Sequence, residues 1–438
     1  MKISVSGLRG IYGSDLILYE ICRYAGSFGS SLLDRGRKCV LGRDTRPSSH
    51  IISRVFESTL MKQGIDVLNV GIVPTPVVFR ETRKSCAGCM VTASHNPLDW
   101  NGLKFIIDGR GFYEEELAVM LERSVQQNSF SYGRSVNVIS TYIEELLELV
   151  ANMRINKDLK IGLDPGGGAA CVYSNVVFRS LGYKIASIND TIGIHPRSPD
   201  PTVDDLKELR ALVRSSTLDL GFALDLDGDR LVVIDKTGKK LPSDLTLLLC
   251  ISNAMKLGMM KFVLSVDTSS VVKEFIVSHG GHVHFSKVGE ANVVKEMSEV
   301  GADAGGEGSS AGFIMPKFNK CRDGLLAGVL ISLLDHESMN ECTHLSSKYH
   351  QIRSKLAADS SLHKVLIEKL FDVLTPNSTS TSKIDGIKLT IDEKSWVLIR
   401  PSNTEHAIRI SVESTADKAT SLYKDILTKT KLIYDEIR

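Results

Sequence analysis

Three aspartates alternate across one short loop, Asp225-Leu226-Asp227-Gly228-Asp229-Arg230, between two apolar runs. Carboxylates this close repel one another unless a cation sits between them. Hard oxygen donors select Mg²⁺ or Mn²⁺ over zinc. An EF-hand would place a glutamate seven residues after its last aspartate-type ligand, where Lys236 stands. A divalent metal is therefore expected here rather than a solvated acidic turn. A second polar loop, Thr92-Ala93-Ser94-His95-Asn96-Pro97, follows the apolar pair Met90-Val91. It sets a hydroxyl beside an imidazole and an amide at a strand end, where α/β proteins place their chemistry. Alone it reads more readily as a turn closed by Ser and Asn side chains.

Two further loops supply what a phosphorylated serine would need. Arg400-Pro401-Ser402-Asn403-Thr404 gathers a guanidinium, hydroxyls, an amide and turn N–H groups, a set suited to a phosphate dianion. Glu307 and Ser309, among glycines, offer an acceptor and a donor for sugar hydroxyls. Arg9, Lys104, Arg230 and Lys287 are candidate sources of positive charge.

These loops need a frame. The chain has 438 residues, too many for one ordinary core, and length alone suggests about three domains. Its apolar fraction of 42% and charged fraction of 24% are those of a globular protein. A formal net charge of +1 implies no nucleic-acid or membrane-surface field, so anionic ligands must be held by local clusters. No apolar run is long enough to span a bilayer, and Met1-Lys2-Ile3-Ser4 leads straight into a glycine-rich turn, so neither membrane nor secretory leader is expected. Cys86 and Cys89 form the sole C-x-x-C pair among eight cysteines. Without a second pair they read as small apolar residues in or near a strand, in a reducing cytoplasm.

Strand and helix patterns alternate through most of the chain, which predicts helix-covered mixed sheets. Leu18, Ile21, Cys22, Ala25, Phe28 and Leu32 recur at helical spacing, as do Ile51, Ile52, Val55, Phe56 and Leu60. Pro74-Thr75-Pro76 reads as a stiff loop. Lys160–Asp164 reads as a strand running into Pro165-Gly166-Gly167-Gly168, a tight turn with a weak claim on ligand. A helix is expected over about Asp204–Arg214, and strands flank the aspartate loop. Pro376–Ser382 is the most linker-like stretch. No internal repeat is visible by eye.

In order, Thr92–Pro97, Asp225–Arg230, Gly306-Glu307-x-Ser309 and Arg400–Glu405 together resemble the α-D-phosphohexomutases. Gly7-Leu8-Arg9-Gly10, Gly42-Arg43-Asp44-Thr45-Arg46 and Pro74-Thr75-Pro76 are secondary matches. The resemblance covers nearly the whole chain. It implies an α/β protein of four domains around a central cleft: three related mixed-sheet α/β domains and a smaller C-terminal α+β domain. The expected bounds are 1–152, 153–248, 249–352 and 353–438, carrying the serine, metal, sugar and phosphate loops in turn.

The resemblance further implies that Ser94 is a phosphoserine and that Ser94, Asp225, Asp227 and Asp229 bind one Mg²⁺. Lys104, Arg9, His95 and Arg230 would serve catalysis. Glu307, Ser309, Lys287, Arg400, Ser402, Asn403, Thr404 and Arg409 would bind substrate. The implied enzyme is a cytoplasmic isomerase, monomeric or homodimeric, with a hexose 1,6-bisphosphate such as glucose 1,6-bisphosphate as activator. The first reading is interconversion of hexose 1- and 6-phosphates of the phosphomannomutase/phosphoglucomutase type. The alternative is phosphoglucosamine mutase, and a phosphatase or a non-catalytic sugar-phosphate binder are rivals. Many members carry histidine four residues after the sugar-loop glutamate, where this chain has Ala311.

Overall fold

The computed structural model describes residues 1–4, 7–85, 87–125, 131–402 and 406–438. Four sheets follow one another along the chain. The second places Lys160–Asp164 between Lys184–Ser187 and Leu220–Leu224, all parallel, and closes with Leu231–Asp235 antiparallel to the last. The third repeats this order with Lys261–Ser265 between His282–Ser286 and Ala304–Glu307, and Gly312–Ile314 antiparallel. The first holds the same core: Lys38–Arg43 between Asp66–Ile72 and Ala87–Val91, then Trp100–Ile107 antiparallel. Gly7–Ile11 pairs with Trp100–Ile107, so the opening glycine-rich segment is a strand and not a turn. The fourth sheet is antiparallel, from His350–Ala357 at one edge to Ser380–Ser382 at the other. The linker-like stretch thus contributes an edge strand to the last unit.

Alternation along the strands of the first sheet sorts side chains onto two cores. Val40 and Ile106 face a continuous core that runs through the first three units, while Cys39, Leu41, Phe105 and Ile107 face the core under helices Leu18–Leu32 and Ser49–Lys62. Helix Gly324–Ser332 is apolar all round, and each of its residues is buried in the shared core. Each such Leu or Phe contributes about 1.5–3 kcal/mol on burial. The last unit has its own core, joined to the third by Val266, Val288, Trp396 and Leu398.

Some local expectations shift. Thr75–Ser85 is a helix, with Pro76 in its first turn, where a missing N–H costs nothing. The helix expected from Asp204 begins at Lys207, because Asp204 Oδ1 accepts the Leu206 N–H and Leu206 is left-handed at φ +51. Leu18, Cys22 and Ile51 lie on the exposed faces of their helices. Cys89 is a free, buried thiol in its strand, and Cys86 lies outside the described residues. No described helix is long and apolar enough to cross a membrane.

Candidate active site

Three of the four loops singled out from sequence occupy equivalent places, each joining the third and fourth strands of the pattern shared by the three related sheets, while the Arg400 loop belongs to the fourth sheet. In the first, Ser94 stands just past strand Ala87–Val91 and is left-handed at φ +51. A non-glycine residue there costs about 1–2 kcal/mol, so its surroundings must hold it. Thr92 Oγ1 accepts the Ser94 N–H at 2.8 Å and donates to Asp44 Oδ2 at 2.7 Å. The buried Arg46 guanidinium donates to the carbonyls of Ser94 (2.5 Å), Asn96 (2.7 Å), Trp100 (3.0 Å) and Pro97, while its Nε donates to Asp44. One arginine thus closes the loop around the serine.

Ser94 Oγ donates to Asp225 Oδ2 at 3.1 Å, which joins the first loop to the second. It also lies 3.4 Å from His95 Nδ1, and His95 Nε2 lies 3.5 Å from an Arg230 nitrogen. Arginine only donates, so Nε2 accepts and the proton of the neutral ring sits on Nδ1, facing Ser94. Burial, then the Arg230, Arg9 and Arg322 charges, push the imidazole far below its ordinary range. Arg9 donates to Asn96 Oδ1 at 3.2 Å.

The three aspartates are buried, and one oxygen of each lies within 4.8 Å of the others. Gly228, at φ +68, makes the turn between them. Thr75 Oγ1 donates to Asp227 Oδ2 at 2.6 Å, and the Arg230 N–H donates to Asp225 Oδ1 at 3.1 Å. Asp227 Oδ1 and Asp229 Oδ1 are buried without a hydrogen-bond partner. Orphaned carboxylate oxygens in this setting fit a hard dication. Burial and the charges of Asp227 and Asp229 raise the Asp225 carboxyl well above its usual range. Burial would also raise Asp229, but Arg322, Lys104 and Arg230 outweigh it and hold that carboxyl well below.

Lys104 projects from strand Trp100–Ile107, with Nζ 3.0 Å from Glu290 Oε1 and 3.5 Å from Asp229 Oδ2. Burial would lower its pKa, yet Glu290 and Asp229 raise it, so it is an ammonium. Glu307 Oε1 accepts the Gly289 N–H at 2.7 Å, and Oε2 lies 3.4 Å from Arg322. Gly308 allows close approach: a Cβ there would lie 1.9 Å from Asp244 Oδ1. Ser309 is half-buried on the same turn. Sequence reasoning passed over Arg322, Glu290, Asp44 and Arg46 as site residues. Of these, Asp44 and Arg46 entered only within a secondary match to the family, Gly42-Arg43-Asp44-Thr45-Arg46.

In the fourth unit Arg400 is buried, with Nε 3.7 Å from Asp385 Oδ2, and Asp385 accepts the Val288 N–H at 3.1 Å. Arg409 Nε lies 3.5 Å from Ser402 Oγ. Lys287 is exposed between Ser286 and Val288, so the Lys287–Gly289 turn touches Asp385 on one side and Glu307 on the other. Asn403 and Thr404 lie outside the described residues. The glycine turn at 165–168 is filled by the chain itself: the Gly167 N–H donates to Asn189 O at 2.6 Å, and a Gly167 Cβ would lie 1.9 Å from Ile194 O.

Comparison with known proteins gives a consistent result. Residues 1–132, 140–238, 242–351 and 352–429 match the models of phosphoglucomutase/phosphomannomutase α/β/α domains I, II and III and C-terminal domain. A protein of Methanothermobacter thermautotrophicus named "Probable phosphoglucosamine mutase" is 32% identical over 96% of this chain and 95% of its own. A Pyrococcus abyssi protein of the same name is 30% identical over 99% of this chain and 98% of its own. The crystal structure of a phosphoglucomutase/phosphomannomutase family protein from Burkholderia thailandensis superposes with a TM-score of 0.85. It covers 98% of this chain and 96% of that one at 23% identity, which speaks to fold alone.

Proposed function

The chain belongs to the phosphoglucomutase/phosphomannomutase family of isomerases, the α-D-phosphohexomutases, and from that premise we propose that it interconverts glucosamine 6-phosphate and glucosamine 1-phosphate through a phosphorylated Ser94. The observation that carries the phosphoserine role is the Ser94 Oγ, 3.1 Å from Asp225 in a triad with two orphaned oxygens. The names of the relatives support the amino sugar over glucose or mannose.

Asp225, Asp227 and Asp229, with an oxygen of the Ser94 phosphate, would hold Mg²⁺, which when bound supplies positive charge to the phosphoryl oxygens. The chain's own residues do the rest. A sugar hydroxyl attacks phosphorus, the P–Oγ bond of Ser94 breaks, and Oγ leaves needing a proton. The Lys104 ammonium supplies it, and the His95 Nδ1–H donates a hydrogen bond toward the same oxygen. The proton lost by the attacking hydroxyl restores the balance. Arg9 and Arg230 place further charge around the transferring group. Glu307 and Ser309 hold sugar hydroxyls, while Arg400, Ser402, Asn403, Thr404 and Arg409 hold the phosphate that is not reacting, and Lys287 contacts the sugar phosphate. The bisphosphate then turns over and returns its other phosphoryl group to Ser94, and added hexose 1,6-bisphosphate serves as activator.

Coupled turnover on glucosamine, glucose and mannose phosphates, each with Mg²⁺ and its 1,6-bisphosphate, tests this reading. A hundredfold preference in kcat/KM for glucosamine phosphate, about 2.7 kcal/mol, is expected. Equal or greater rates on glucose or mannose would reassign the sugar. Ser94→Ala should lose turnover by at least ~10⁴-fold, given that covalent transfer passes through this oxygen. Near-normal turnover in that variant would overturn the phosphoserine mechanism.

A further inference from the structure

Arg322 belongs to neither the aspartate loop nor the sugar loop, yet it touches both. A terminal nitrogen donates to Asp229 Oδ2 at 2.8 Å, and the other lies 3.4 Å from Glu307 Oε2. Its Nε lies 3.3 Å from Glu290 Oε2, and its backbone N–H donates to the same oxygen at 2.9 Å. A planar guanidinium presents donors in several directions at once, which an ammonium at the same place would not.

The side chain has little freedom. It crosses Gly312, where a Cβ would lie 2.3 Å from Arg322 Cδ. Its neighbour Asp323 caps helix Gly324–Ser332 through the Leu326 N–H and accepts the Tyr142 hydroxyl at 2.7 Å. Gly324 N–H donates to Gly228 O at 3.2 Å, so the start of this helix is fastened to the aspartate loop. Glu307 is the last residue of strand Ala304–Glu307 and Gly308 begins the turn after it, so the carboxylate sits where the paired strand gives way to the sugar loop.

We propose that Arg322 is a positioning residue shared by the two loops, fixing Glu307 relative to Asp229 while weakening the hold of the aspartates on a metal ion. The geometry gives the sign of each effect. Asp229 Oδ2 already faces two cations, Arg322 and Lys104, and Oδ1 alone is left without a partner. A fixed positive charge beside a ligating carboxylate repels a second cation. The same charge braces Glu307, whose other oxygen is held by the Gly289 N–H. Metal affinity and sugar affinity are therefore traded against each other at one side chain, which deepens the functional reading above and rests on it.

The test uses the full chain and the variants Arg322→Met and Arg322→Lys. Mn²⁺ is titrated without sugar by calorimetry, and KM and kcat for glucosamine 6-phosphate are measured with saturating metal. Arg322→Met should bind Mn²⁺ roughly tenfold tighter, with KM raised roughly tenfold. Arg322→Lys keeps the charge but cannot span the acids, so Mn²⁺ affinity should stay within about threefold of the original while KM still rises. Mn²⁺ binding weakened or unchanged in Arg322→Met would overturn the proposal, as would an unchanged KM in Arg322→Lys. If Arg322→Met does not fold, Arg322→Gln, which also removes the charge, takes its place in the Mn²⁺ titration. A wild-type chain that turns over no hexose phosphate would sink the functional reading, while the metal titration, which needs no turnover, would still judge Arg322.

Discussion

At the scale of single residues, the reactive groups are conspicuous and their supports are not. The aspartates alternate in a short loop between apolar strands, so a claim on metal can be read from their spacing, while the role expected of Ser94 comes from the family resemblance. Arg46 cannot be read that way, since a lone arginine is usually solvated, and its worth lies in carbonyls about fifty residues away. Its removal has a definite signature. Arg46→Met strands the buried Asp44 carboxylate and four loop carbonyls, so a loss of about 3–5 kcal/mol is expected in denaturant unfolding. Adding Asp44→Asn removes the unpaired charge and should return much of that stability. It should not return kcat, which is expected to stay about 10²-fold down because the left-handed Ser94 loses its brace. Recovery of kcat along with stability would show that the guanidinium serves folding alone.

At the scale of elements, one supersecondary pattern recurs in three units, each time with its polar loop between the third and fourth strands. The alternation of strands and helices was legible, and so were Lys160–Asp164 and the strands that flank the aspartate loop. The recurrence was not, because a buried parallel strand asks only for apolar residues: Lys-Cys-Val-Leu-Gly-Arg, Lys-Ile-Gly-Leu-Asp and Lys-Phe-Val-Leu-Ser satisfy one role with little identity. Cross-unit fastenings were equally hidden. Asp323 shows their weight, since it caps a buried helix of the third unit and holds Tyr142 from the segment before the second. Asp323→Ala loses the cap and leaves the Tyr142 hydroxyl without its carboxylate, so a loss of about 2–4 kcal/mol is expected. The drop should appear as a lowered melting temperature together with weaker Mn²⁺ binding, because Gly324 is tied to Gly228. Unchanged Mn²⁺ binding in the folded variant would show that the helix start does not position the aspartates.

At the scale of the molecule, the fourth unit sets Arg400 beside Asp385, which holds the Val288 N–H of the third unit, and its seat on that unit is mixed in character. A small apolar patch with Phe285 and Trp396 lies beside a charged set: Arg353 with Asp244 at 2.8 Å, Glu413 with the Ser270 N–H at 2.8 Å, and Lys388 donating to Val266 O at 2.7 Å. Such polar interfaces within a chain permit relative motion. Lys388 also lies 4.1 Å from the Trp396 ring centroid, and burial lowers its pKa to about 8, against the pull of Glu413 and Asp267. In the unfolded chain the same amine titrates near ~10.4. Between these values the unfolded chain keeps a proton that the folded chain has released, so stability rises with pH across this window. Below about 8 both states are charged and the folded one bears the full cost of the buried ammonium, on the order of 3 kcal/mol. Lys388→Met removes the titration and sacrifices the bond to Val266. Relative to wild type it should therefore be most favoured at neutral pH and lose that advantage, by on the order of 3 kcal/mol, toward pH ~10.5. Urea unfolding of both proteins at the two ends of the window, followed by Trp396 fluorescence in a Trp100→Phe background, measures the difference. A stability gap independent of pH would mean that Lys388 is solvated where the fourth unit meets the third, and that this contact opens without any change of charge.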